Sequence, residues 1–96
     1  MKMCSVSECE IAECAYNMDK ACHAMAITIG DGVHPMCDTF FKSSTHGGVK
    51  NQTASVGACK VSACCHNMDF ECEAESIHVG YCGGHSHGDC MTFAAR

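Results

Sequence analysis

The sequence predicts a small, metal-stabilised, β-rich protein made of two tandem, pseudo-symmetric Cys4 modules. Three observations carry this expectation. Four cysteines recur in one order, Cys9, Cys14, Cys22 and Cys37, then Cys59, Cys64, Cys72 and Cys90. The first three of each set share the spacing C-x4-C-x7-C. The fourth follows after 14 residues in the first copy and 17 in the second. Four thiols in so short a segment match the ligand set of one tetrahedral thiolate site, most often zinc. Second, an offset of 50 also matches Asn17, Met18, Asp19, Ala24, Ile27 and Gly30 to identical residues, as duplicated structural units do. Third, the apolar residues are too few and too small for a self-sufficient core. There is no Trp, and only four Phe and two Tyr among 96 residues, with 11 Cys and 7 Met in the apolar count. A repeat of this size needs a metal, a disulfide or a partner.

Taken in order, residues 1–8 form a short leader containing Cys4. The first Cys4 module spans 9–41, a polar Gly/Ser/Thr-rich linker spans 42–58, the second module spans 59–93, and 94–96 is a tail. The C-x4-C segment is either a single helical turn or a tight loop, since periodicity cannot decide so short a piece. Asn17-Met-Asp19 and Asn67-Met-Asp69 are expected as turns, because Asn and Asp side chains bond their own backbone. Residues 24–29 and 74–79 carry β-branched residues at alternate positions and are expected as half-buried strands ending at Gly30 and Gly80. Cys37-x-Thr-Phe-Phe41 and Cys90-x-Thr-Phe93 are expected as second strands, returning beside the first as hairpins. Ile27 and Ile29, with Phe40 or Phe41, should flank the first site, and Ile77, Val79 and Phe93 the second.

Composition bounds the function. The eleven cysteines cannot all pair internally. With no apolar stretch fit for a signal peptide or a membrane span, the expectation is a reduced, cytoplasmic, metal-binding chain. The formal charge is −5, and eight zinc-bound thiolates against two divalent ions take it to −9. With six scattered Lys and Arg, this argues against nucleic acid as a partner. A protein partner is left open, as is the oligomeric state. Four thiolates close a zinc site to substrate, and no G-x-S-x-G, P-loop or H-E-x-x-H occurs, so no enzyme is expected. The absence of C-x-x-C leaves a thiol-redox role a distant third choice. The cofactor expected is Zn2+, two per chain, with iron and copper as alternatives.

Cys4, Cys65 and Cys82 lie outside the repeated ligand set. The spacing of five between Cys4, Cys9 and Cys14 lets Cys4 substitute for a neighbour. Cys82, His85 and His87, with Cys65, are the candidates for a weak accessory metal site; a plain polar loop is the competing reading. The function expected is a zinc-binding protein with two structural sites acting as a small interaction module. The alternative is metal buffering or storage, for zinc or copper, through the surplus Cys and His.

The fuller pattern reads Cys-x-Val/Ile-x-x-Cys-x-Tyr/His-Asn, then Cys-x-Ala-x-x-Ile-x-Val/Ile-Gly, then Cys-x-Thr-Phe. It occurs at 9–17, 22–30 and 37–40, and again at 59–67, 72–80 and 90–93. This resembles the bacterial domain of unknown function 1540. The resemblance implies a small four-cysteine module that binds zinc and is often found in tandem. It implies the same eight cysteines as ligands, and says nothing about Cys4, Cys65 or Cys82.

Overall fold

In the computed structural model, residues 3–30, 35–81 and 88–96 are described. They contain nine short strands: β1 (Ser5–Cys9), β2 (Asn17–Met18), β3 (Ala21–Cys22), β4 (Ala26–Gly30), β5 (Ser55–Lys60), β6 (Asn67–Met68), β7 (Glu71–Cys72), β8 (Ser76–Tyr81) and β9 (Gly88–Cys90). No helix occurs among the described residues, so none is long and apolar enough to cross a membrane. The small β-rich, duplicated architecture expected from the sequence is the one observed.

The two repeats do not sit side by side as beads. They share one five-stranded sheet in the order β4-β5-β1-β8-β9. At its centre β1 and β5 run antiparallel, with Ser5 opposite Ser55. Val6 N–H donates to Ala54 O at 3.0 Å, and Val56 N–H donates to Cys4 O at 2.7 Å. These bonds are related by the repeat offset of 50, so a pseudo-twofold axis passes between the two serines. On either side the partner comes from the other repeat: β1 pairs parallel with β8, and β5 parallel with β4. Each repeat therefore lends its first strand to the other repeat's sheet edge.

This exchange redraws the expected boundaries. Residues 5–8, read as leader, and 55–58, read as the end of the linker, are strand residues at the centre of the sheet. The rest of the linker is also tied down, through Val49 N–H to His23 O at 2.7 Å and Ala54 N–H to Cys22 O at 2.9 Å. Gly48 is the glycine this path requires. Its φ is 113°, and a side chain there would collide with the His23 carbonyl.

The alternating strands bury one face as expected. Val6, Ile27, Ile29, Val56, Ile77 and Val79 are buried, joined by Ile11 and Val61 from the C-x4-C turns. The nine remaining buried apolar residues are all cysteines and alanines, which makes this core shallow, and the molecule is a slab of 37 × 33 × 15 Å.

Two local expectations change. Asn17-Met-Asp19 is the rising arm of a hairpin rather than only a turn: β2 pairs with β3, as β6 does with β7. The turn residues are Asp19 and Lys20, with φ of 52° and 66°, and Asp69 and Phe70, with φ of 53° and 67°. Two consecutive positive φ values are the signature of a type I′ hairpin turn. The Cys-x-Thr-Phe segments are also not strands. The return pairing ends at their cysteines, as β9 on β8 and as a bridge between Ile29 and Cys37. The chain then turns, with Phe40 N–H bonded to Cys37 O and Phe93 N–H to Cys90 O, both at 3.3 Å.

Candidate metal centre

The cysteines sit at corners of the chain. Cys9 ends β1, Cys14 closes the following turn, Cys22 ends β3, and Cys37 leads into the Thr-Phe turn. All four line one cavity with Val6, Ile11, Tyr16, Ile27, Thr39 and Phe40. Phe40 takes the flanking role. Phe41 is half exposed and packs edge-on against Tyr16, ring centroids 5.5 Å apart. The wall also includes Val79 and Gly88 of the other repeat.

Backbone donors serve the sulfurs. Burial pushes the Cys9 thiol up, opposed by the Ile11 N–H and the Asn17 side chain, while Cys14 nearby adds to the rise. Burial likewise raises Cys22, opposed by the Ala24 N–H, with Cys9 and Cys14 as close neighbours. Cys37 is pushed up to about 12 by burial, against N–H donors from Thr39 and Phe40, and it too neighbours Cys22 and Cys14. The turn after the cysteine thus exists to aim two N–H groups at its sulfur. The motif threonine locks that turn to the strand: Thr28 N–H donates to Thr39 Oγ1 at 3.1 Å.

The second set repeats this wiring. Burial takes Cys90 up to about 11, opposed by the N–H groups of Thr92 and Phe93, with Cys72 and Cys64 adjacent. His78 N–H donates to Thr92 Oγ1 at 3.0 Å, and His66 N–H to Cys64 Sγ at 3.4 Å. Asn17 and Asn67 are buried, and each donates its side-chain amide to the carbonyl of the first cysteine, Cys9 at 2.7 Å and Cys59 at 2.8 Å. This explains the Asn of the motif, which holds the first cysteine corner against the hairpin.

Neutral buried thiols gathered with N–H donors, and no disulfide among the described cysteines, fit a soft divalent ion. Among the described residues, no three of the cysteine sulfurs lie within 4.8 Å of one another. Zinc–sulfur bonds of about 2.3 Å put tetrahedral sulfurs about 3.8 Å apart, so an ion would draw each set inward.

Of the accessory candidates, Cys82, His85 and His87 lie outside the described residues, and Cys65 is exposed. Sequence reasoning missed a different cluster. The donor atoms of Glu8, Glu10 and His78 do lie within 4.8 Å of one another. The parallel register of β1 and β8 sets Glu8 opposite His78, and Glu10 Oε2 meets His78 Nε2. The offset counterparts, Ala58, Lys60 and Thr28, carry no such set. No signal in the sequence pairs positions 70 residues apart.

A family model for the Domain of Unknown Function DUF1540 matches residues 3–54 and again residues 58–93. The chain belongs to this family. It is a tandem DUF1540 protein, and the two matched segments correspond to the two halves of the pseudo-twofold fold. Comparison with curated proteins and with solved structures finds no match. The cysteine-rich DUF1540 repeats are consistent with metal binding.

Proposed function

We propose that this tandem DUF1540 chain binds two Zn2+ ions as structural cations, one in Cys9, Cys14, Cys22 and Cys37 and one in Cys59, Cys64, Cys72 and Cys90. The folded unit then serves as a non-catalytic interaction module. The observation that carries the reading is the single cavity lined by the four cysteines of the first set, with backbone N–H groups directed at their sulfurs. A closed four-sulfur shell offers no position to substrate, so the ion's contribution is folding energy. The exposed Met68 and Phe70 at the β6–β7 tip, where the first repeat has Met18 and Lys20, support a contact surface for a protein partner.

Elemental analysis of protein purified without added metal tests the reading. Two zinc per chain are expected, and chelation at neutral pH is expected to abolish the strand signal in circular dichroism. Iron, or a metal-free chain with ordered disulfides, would overturn it. Buffering or storage of metal is the second reading, favoured by the exposed Cys65 and by Cys4. More than two tightly bound ions, or ions that exchange rapidly while the fold persists, would select it.

A further inference from the structure

We propose that Cys4, delivered by the N-terminal strand of the first repeat, is a fifth sulfur donor at the second metal site and substitutes there for Cys72. The inference rests on the two-zinc reading and deepens it: site two holds a reserve ligand, and site one holds none.

The fold carries Cys4 away from its sequence neighbours. Cys9 and Cys14 turn into site one, whereas Cys4, at the other end of β1, is bound by the second repeat. Its carbonyl accepts from Val56 N–H at 2.7 Å, and the next residue's N–H donates to Glu75 O at 3.3 Å. Its side chain is buried, at 2% exposure. The sulfur belongs to the buried cluster that includes Cys59 and against which Cys72 and Cys90 pack, and burial pushes its thiol up, with Cys72, then Cys90 and Cys59, as the neighbouring thiols that add to the rise. The thiol thus faces the second repeat's cysteines, Cys72 foremost, rather than those of site one. Its hydrogen bond to Ser5 O is long, at 3.8 Å.

The pseudo-twofold supplies the control. The offset of 50 places Ala54 where Cys4 stands. Ala54 is fully buried, and its N–H donates to Cys22 O at 2.9 Å, so position 54 abuts the third cysteine of site one as position 4 abuts the third cysteine of site two. A small apolar side chain satisfies that packing in one half. The other half carries a buried thiol at the same position.

A tetrahedral ion takes four sulfurs, so the fifth stays protonated beside the shell. If Cys72 leaves, Cys4 gives up its proton and binds as thiolate while the departing Cys72 sulfur takes one up, and the charge of the site is unchanged. Site one has no such exchange.

Cobalt(II) loading reads this directly, because sulfur-to-cobalt charge-transfer bands count the thiolates and the ligand-field bands report tetrahedral geometry. Wild-type protein is expected to give two four-sulfur sites, and Cys4→Ala the same two. Cys72→Ser is expected to keep both, through Cys4. Cys22→Ser is expected to retain one and lose about half of the four-sulfur signal. Cys4→Ala/Cys72→Ser should match Cys22→Ser. Ala54→Cys/Cys22→Ser should recover the second site by building the reserve thiol into the first half. A Cys72→Ser protein that behaves like Cys22→Ser, or that fails to fold where Cys22→Ser folds, overturns the proposal. So does a double variant no worse than Cys72→Ser, which would leave Cys4 a packing residue. If neither single serine variant folds, rescue of Cys22→Ser by Ala54→Cys supports the proposal, and no rescue overturns it. Wild-type protein lacking two four-sulfur sites would instead refute the underlying two-zinc reading.

Discussion

Asn17 and Asn67 show how much one buried amide decides here. Each ties a hairpin to the backbone of the first cysteine of its set, and each is almost fully removed from water. Asn17→Ala strands the Cys9 carbonyl and should destabilise the fold by about 1–3 kcal/mol. The check is a denaturant titration of the zinc-loaded protein, and an unchanged midpoint would refute the role. Gly88 is the second such position. A methyl group there would meet Ile11 Cγ1 at 2.7 Å and Val79 Cγ1 at 2.8 Å, in the wall of site one. Gly88→Ala should cost roughly 1–3 kcal/mol by overpacking and should loosen the metal at site one before site two. Cadmium-113 NMR, with one resonance expected for each site, separates the two.

At the scale of elements, the β2–β3 and β6–β7 hairpins carry their own strain. Lys20 and Phe70 hold left-handed φ values that non-glycine side chains disfavour. Type I′ turns prefer glycine at this second position, and Asp19 and Asp69 already suit the first. Lys20→Gly should therefore stabilise the protein by up to about 1 kcal/mol, with metal content unchanged. A drop in thermal midpoint would show that the lysine makes a compensating contact. The Thr-Phe turns work differently. Their conformation is set by the sulfur they serve and by the threonine hydroxyl bonded to the neighbouring strand, so they read as strands by composition and fold as turns.

On the scale of the whole molecule, exchange of β1 and β5 makes each half incomplete. A chain ending near Gly47 keeps all four cysteines of the first set but loses β5, the partner of β4, and β8, the partner of β1. Fragments 1–47 and 48–96 should each remain largely unstructured with zinc, and should assemble when mixed. Nuclear magnetic resonance dispersion of the separate and mixed fragments measures this; independent folding of either would refute the shared sheet. Metal binding should also be steeply pH-dependent. Burial raises Cys37 to about 12 and Cys90 to about 11, so without metal these thiols are protonated at neutral pH. Zinc must displace those protons, so its affinity rises with pH and falls as pH drops. About four protons should be released per zinc near pH 7, measurable by calorimetry in buffers of different ionisation enthalpy. Release of none would mean the thiols are already ionised.

The sequence by itself determined the repeat, the two cysteine sets, the strands before Gly30 and Gly80, and the thin core. These rest on local signals, namely identical spacing, alternating β-branched residues, and counts of large apolar side chains. Ser5-Val6 and Ser55-Val56 also match at the offset of 50, a signal that extends the repeat into β1 and β5. Only the tertiary structure decided that those strands cross over, that Cys4 leaves Cys9 and Cys14 and is bound by the second repeat, and that Glu8, Glu10 and His78 meet. The physical reason is the pairing partner. A five-residue strand declares which of its faces is apolar. Which other strand completes its hydrogen bonds is decided by the whole sheet, and in this protein that strand belongs to the opposite repeat.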